Sequence, residues 1–261
     1  MRPRAVLACA LPLLLLLGGC GDGTPADGRA AGPSPVASAP LPPEPTPSVG
    51  PRPTPPALVR PLPARLPAGL RRKTGVRTVA LTFDDGPHPT WTPQILDRLR
   101  AAKVTATFCV LGTKARRHPD LIRRIVREGH QLCNHSWRHD LDLARRPVAE
   151  IRRDLDRTNE AIREAVPGAK VPFYRQPGGR WTREVVTVAR QLGMRSLHWE
   201  VDPRDWSKPT AATITKRVRA AARPGSVVLL HDGGGDRAAT LAASPHLIAD
   251  LKRRYGVAPP R

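Results

Sequence analysis

Thr78-Val79-Ala80-Leu81-Thr82-Phe83-Asp84-Asp85-Gly86-Pro87 is the stretch on which the reading of this chain turns. Its first six residues are uncharged and rich in β-branched and aromatic types, the pattern of a buried strand. Two carboxylates follow at the strand end, and Gly86-Pro87 then forces a turn. Adjacent carboxylates repel each other unless a cation or a hydrogen-bond donor shares their space. The segment is therefore either an acidic surface turn or part of a cation site.

Working outward, short β-rich runs alternate with helical ones. Thr92 to Ala102 carries Ile95, Leu96 and Leu99 at helical spacing, and Thr105 to Val110 reads as the next strand. A helix from Pro119 (Leu121, Ile122, Ile125, Val126) leads to a short strand at His130 to Cys133. A long helix begins at Pro147. Strands at Val171–Tyr174, Arg195–Val201 and Ser226–Leu230 are separated by helices at Arg183–Leu192 and Ala211–Ala222, and a last helix covers His246–Tyr255. This alternation predicts an α/β fold with parallel strands and crossover helices, either an open sheet or a (β/α) barrel. In both, chemistry belongs just after the strands.

Polar clusters stand at those places. His135-Ser136-Trp137-Arg138-His139 follows the third strand, and two histidines four apart on a helical turn can share one metal ion. Arg175-Gln176-Pro177-Gly178-Gly179 follows the fourth. Asp202-Pro203-Arg204-Asp205-Trp206 follows the fifth, and Leu229-Leu230-His231-Asp232 closes the sixth. Each cluster alone has an ordinary structural reading. Together they supply two His and one Asp for a divalent metal, with a second Asp, an Arg, a further Asp and a His on the same rim. That is a metal-assisted hydrolase constellation.

The N-terminal third differs in kind. Arg2 and Arg4 precede an apolar run from Ala5 to Leu17, the length of a signal-peptide core and too short for a stable span. It closes on Leu17-Gly18-Gly19-Cys20, which resembles a bacterial lipoprotein processing site: residues 1–19 would be removed and Cys20 lipidated, ordinary secretion being the alternative. Residues 20–73 read as a Pro/Ala-rich linker, since 14 of 31 prolines fall between Pro33 and Pro67 and large apolar residues are scarce. The globular domain is expected at 74–261. The formal charge of +21 is carried mostly by Arg, with only 7 Lys among 43 basic residues. It is scattered rather than gathered into an arm or motif, so no nucleic-acid partner is expected, whereas attraction to envelope polyanions is. Cys109 and Cys133 could form a disulfide in an exported protein or stay buried thiols.

Five motifs in order, Asp84-Asp85, His135…His139, Arg175…Pro177, Asp205-Trp206 and Leu229…His231, resemble those of the polysaccharide deacetylases. This is the family of the NodB homology domain, carbohydrate esterase family 4, and the match runs from about Val76 to Leu251. The resemblance implies a distorted (β/α) barrel. It makes Asp84 the catalytic base and Asp85, His135 and His139 the metal ligands, with zinc usual and Co, Ni or Mn as substitutes. His231 becomes the general acid, Arg175 the partner of Asp84, and Asp205 the residue that orients His231. The backbone N–H of Gly178 is implied as an oxyanion donor after Pro177, and Trp206 as a wall of the sugar groove. Three departures stand out. Gly178 occupies a position where an aromatic residue often follows Pro177. Cys109 and Cys133 replace Phe-like and Gly-like residues. The chain runs to Gly256–Arg261 where members commonly add a strand, so a shortened or open C-terminal edge is expected.

The implied activity is removal of acetyl groups from N-acetylglucosamine polymers, peptidoglycan ahead of chitin, by a monomeric lipoprotein on the outer face of the cell membrane. O-deacetylation of acetylxylan and a non-catalytic carbohydrate-binding role are the alternatives. His88, His118, His198 and His246 read as structural or solvated, and Trp91, Trp137 and Trp181 as packing residues. Gly233-Gly234-Gly235 lacks the Lys-Ser/Thr of a phosphate loop.

Overall fold

The period-2 alternation of strands explains how this fold carries its site. The structure, a computed structural model, describes residues 60–261. Its strands are β1 (Leu70–Arg71), β2 (Ala80–Gly86), β3 (Thr107–Val110), β4 (Gln131–Asn134), β5 (Phe173–Tyr174), β6 (Arg195–Leu197) and β7 (Val227–His231). Its helices are α1 (Trp91–Ala101), α2 (Gly112–Arg117), α3 (Pro119–Arg127), α4 (Val148–Ala165), α5 (Arg183–Gln191), α6 (Ala211–Ala221) and α7 (Ala238–Tyr255). The strands form one parallel sheet in the order β1-β6-β5-β4-β3-β2-β7. Residues on one face of β2 to β7 (Leu81, Phe83, Phe108, Leu132, Tyr174, Leu230) join the helices in the large core. Those on the other face (Ala80, Cys109, Cys133, Phe173, Leu197, Val227) form a second, smaller cluster. Leu197 and Val227 meet in that cluster although β6 and β7 are not sheet neighbours, so the sheet curls into a half-barrel.

The gap between the edge strands stays open. Isolated bridges span it, Lys73 with Ser226 and Val201 with Val228. At the C-terminal end a single bridge from Val257 to Val79 stands in place of a further strand.

Each interior face climbs toward a polar side chain at the strand end. Ala80 and Thr82 lead to Asp84, Cys133 to His135, Phe173 to Arg175, and Val227 and Leu229 to His231. Register aligns the rim: Asp84 pairs with His231 on one side and Cys109 on the other, and Cys109 pairs with Cys133. The two cysteines are disulfide-bonded across β3 and β4, with Cα atoms 4.1 Å apart. They tie the barrel floor directly beside Asp84.

Several expectations need correction. The domain boundary at 73/74 falls inside the folded part. Leu70 and Arg71 pair with β6, the His198 N–H donates to the Arg71 carbonyl at 2.8 Å, and Arg60 forms an ion pair with Glu184 at 2.7 Å. The proline-rich composition concealed a strand of two residues. Residues 1–59, which include the signal sequence, Cys20 and most of the linker, lie outside the described residues.

His246 lies within α7, which starts at Ala238 and runs through Pro245. A proline leaves the carbonyl four residues back without its donor, and here the Ser244 hydroxyl donates to Leu241 O at 2.8 Å instead. Three strands, β3, β5 and β6, are also shorter than the runs that announced them, and α2 was not anticipated. Among the described residues no helix is long and apolar enough to cross a membrane.

Candidate active site

The rim residues converge on one cleft of about 480 Å³ at the C-terminal end of the barrel, lined by Asp84, Asp85, His135, His139, Trp206 and His231 among others. Asp84 and Asp85 are consecutive, yet both reach it because Asp85 has a left-handed backbone, φ 70°. The two histidines are not on a helical turn as expected. They lie in a loop after β4 in which Ser136 (φ 69°) and His139 (φ 63°) are left-handed. Side-chain bonds hold that loop. Asn134 Oδ1 accepts from Ser136 N at 2.9 Å, Asp154 Oδ1 accepts from Trp137 N at 2.8 Å, and Ser136 Oγ accepts from His139 N at 3.0 Å. Such caps satisfy backbone donors that no helix would use.

Asp85 Oδ1 lies 3.5 Å from His135 Nε2 and 3.4 Å from His139 Nε2. His135 Nδ1 is 2.8 Å from the Arg175 carbonyl, which can only accept. Nδ1 therefore carries the hydrogen, leaving the Nε2 lone pair turned toward Asp85. Asp85 Oδ1 is buried with no hydrogen-bond partner. A buried, unpaired carboxylate oxygen facing two imidazole nitrogens is a costly arrangement by itself and a suitable one around a divalent cation. The three ligand atoms lie within 4.8 Å of one another, so the residues fit a metal. Burial pushes the Asp85 carboxyl up, but the neighbouring imidazoles, His135 first and then His139 and His231, hold it well below the usual range. Burial also pulls His139 below the ordinary imidazole value, toward the ligating neutral form.

Two buried pairs flank these three. Arg175 is fully buried, and its Nη1 donates to Asp84 Oδ1 at 2.6 Å and to Thr82 Oγ1 at 2.8 Å. Its Nε donates to Leu197 O at 3.1 Å, so the guanidinium is fixed by groups from two strands, β2 and β6, and Asp84 is held by it. On the other side Asp205 Oδ1 takes the His231 Nδ1–H at 2.7 Å, while Oδ2 accepts from His231 N at 2.9 Å and Thr240 Oγ1 at 2.8 Å. Burial pulls His231 down, yet the bond and charge of Asp205 outweigh it and raise the imidazole above its ordinary value. The arrangement sets three ligands suited to a cation, a carboxylate and an imidazole of raised basicity around one space.

A model of the polysaccharide deacetylase family matches residues 71–197. A chitooligosaccharide deacetylase from a Bradyrhizobium strain is 44% identical over 192 residues, 69% of this chain and 87% of that protein. This chain belongs to the polysaccharide deacetylase family. A crystallised peptidoglycan N-acetylglucosamine deacetylase aligns at TM-score 0.69 and 33% identity, over 73% of this chain and 90% of that one. A pseudoenzyme of the same family from Bacillus anthracis aligns at TM-score 0.68 and 28% identity, over 74% and 68%.

Within this family frame the departures acquire physical reasons. Gly178 has φ 60°, and a Cβ there would stand 2.9 Å from Leu141 Cδ2. Leu141 thus occupies the space that a side chain on residue 178 would enter. Trp199, which the sequence reading passed over, also lines the cleft, its ring against Gly179 and 5.8 Å from the Arg175 guanidinium carbon. Its sequence signal was slight, a lone Trp two residues past β6. Trp206 is 45% exposed on the cleft wall with Arg204 over its ring. The residues set aside as structural stay outside the chemistry. His198 accepts the Trp181 indole N–H and is pushed by burial to about 4, while Trp137 lies against the Arg116 and Arg157 guanidiniums.

Proposed function

We propose that this chain hydrolyses N-acetyl groups on N-acetylglucosamine polysaccharide, with peptidoglycan as the polymer and zinc as the ion. The observation that carries the reading is the convergence of the Asp85–His135–His139 triad with two independently braced acid–base groups in one cleft. A zinc ion held by that triad would polarise the acetyl carbonyl and make water more acidic there. Asp84, paired with and aligned by Arg175, takes the proton of the attacking water. The Gly178 N–H donates to the oxygen that gains charge. His231, as the imidazolium, delivers its Nε2 proton to the leaving nitrogen, while Asp205 keeps the Nδ1–H and the orientation of the ring. Trp206 and Trp199 line the sugar groove.

The relatives named for chitooligosaccharide and peptidoglycan substrates support an aminosugar polymer. The lipoprotein-like Cys20 and the proline-rich spacer support a monomeric enzyme anchored on the outer face of a membrane, acting on the wall around it.

The test uses the full chain, stripped by chelator and reloaded with zinc, with acetate release followed from N-acetylglucosamine oligomers, peptidoglycan and acetylated xylan. Zinc-dependent release from the first two is expected. Release from xylan alone would replace the reading with O-deacetylation, and no release at full zinc occupancy would place the chain with the pseudoenzymes. Asp84→Asn should lower kcat by roughly 10²-fold or more while zinc content is kept, whereas His135→Ala should lose both. Near-wild-type turnover in Asp84→Asn would sink the assigned roles.

A further inference from the structure

Gly233, Gly234 and Arg237 take no part in the chemistry above, yet they enclose the back of Asp85. Gly234 has φ +73°, and a Cβ built on it would land on the Asp85 side chain, 3.1 Å from Cγ and 3.2 Å from Cβ. A Cβ on Gly233 would meet the Asp85 carbonyl and stand 2.9 Å from Gly86 N. Bare backbone therefore lies directly against the carboxylate, at a separation that no side-chain-bearing residue permits.

Arg237 holds this backbone in place. It is only 4% exposed, and its Nε donates to Gly233 O at 2.6 Å while Nη2 donates to Gly234 O at 3.1 Å. The same segment is tied to the neighbouring strand, since Asp232 N donates to Asp84 O at 3.1 Å and Thr92 Oγ1 donates to Asp232 Oδ2 at 2.5 Å. From the opposite side Lys114 Nζ donates to the Asp85 carbonyl at 2.6 Å. Asp85 is thus gripped through its backbone and backed along its side chain.

We infer that Gly233, Gly234 and Arg237 are positioning residues for the metal-binding carboxylate. Arg237 clamps the two glycine carbonyls, and the glycine backbone blocks the rotamers in which Asp85 would turn away from His135 and His139. A ligand fixed in advance loses less rotational freedom on binding, and supporting contacts of this kind commonly change metal affinity 10- to 100-fold. The glycine run thus has a physical task in place of the phosphate cradle that its composition fails to make. The inference rests on Asp85 being a metal ligand, as proposed above.

The experiment measures zinc Kd on the full chain by chelator competition, with the visible absorption of the cobalt-loaded protein as a report of ligand geometry. Gly234→Ala is compared with Gly168→Ala. Gly168 has nearly the same backbone, φ +76°, but nothing within 4 Å of its Cβ position. Both substitutions carry the same left-handed strain, and only one presses on Asp85. Gly234→Ala should weaken zinc binding by about tenfold or more relative to Gly168→Ala, with an altered cobalt spectrum. Arg237→Met should weaken it similarly, and Arg237→Lys, which can still reach one carbonyl, should recover part of the loss. A Kd for Gly234→Ala within twofold of the Gly168→Ala value would overturn the clamp. If Gly234→Ala does not fold, an unchanged Kd in Arg237→Met would overturn it equally. Failure of the unmutated chain to bind zinc would instead remove the metal reading itself.

Discussion

Asp205 shows how much one residue determines. Its two oxygens serve different masters, Oδ1 the His231 ring and Oδ2 the His231 backbone and Thr240. Replacing it by Asn removes the charge that raises the imidazole and leaves burial, which lowers it. The protonated acid is then lost at lower pH. Asp205→Asn should move the alkaline limb of the kcat–pH profile downward, and an unmoved limb would show that His231 is not the group titrating there. At this scale the chemistry-bearing side chains were legible, because a carboxylate or imidazole declares its chemistry wherever it stands. Gly233 and Gly234 did not declare theirs. A glycine that permits close approach has no side chain to read, and its neighbour at Asp85 is about 150 residues away along the chain. The HxxxH spacing was legible too, but its assumed helical geometry was not, since three side-chain acceptors fix a loop there instead.

At the scale of elements, β1 is the informative case. Two residues cannot show periodicity, so the proline-rich segment looked like linker throughout. Yet Leu70–Arg71 supplies the acceptor for the His198 N–H, and the His198 carbonyl in turn accepts from Arg175 Nη2. A chain beginning at residue 74 should be less stable than one beginning at residue 60, by about 1–3 kcal/mol for that orphaned amide alone. Urea unfolding of the two compares them directly, and equal midpoints would refute a structural role for the strap. The long helices were easier to anticipate because their apolar stripes recur over several turns. The exception, α7, was misplaced because Pro245 reads as a stop wherever the carbonyl it frees has no substitute donor.

For the molecule as a whole, stability carries a signature of the site's support. Burial pushes the Asp154 carboxyl up to about 6, against the Trp137 N–H that favours its charged form, and the charge of Asp140 adds to the rise. A carboxyl raised in the folded state contributes stability fully present below its unfolded value near 3.8 and lost as pH rises through 6. Asp154→Asn keeps an acceptor for Trp137 and cannot ionise. It should be more stable than the unmutated chain at pH 8, by up to about 3 kcal/mol, and show no such gain at pH 4. Equal gains at both values would refute the linkage. The fold class itself was visible from alternation alone, whereas the curl of the sheet depends on contacts between non-neighbouring strands that no local pattern encodes.

The strand order has a consequence for the life history of the chain. β2 is flanked by β3 and by β7, and β1 by β6 alone, so β1 and β2 each wait for a partner more than 120 residues behind them. Asp84 meets Arg175 and His231 only after both have been synthesised. A growing chain that has not yet reached Val227 exposes one whole side of β2 and possesses no assembled catalytic centre. Folding should be slow and sequence-distant in its contacts, and the cleft stays incomplete until His231 has been made.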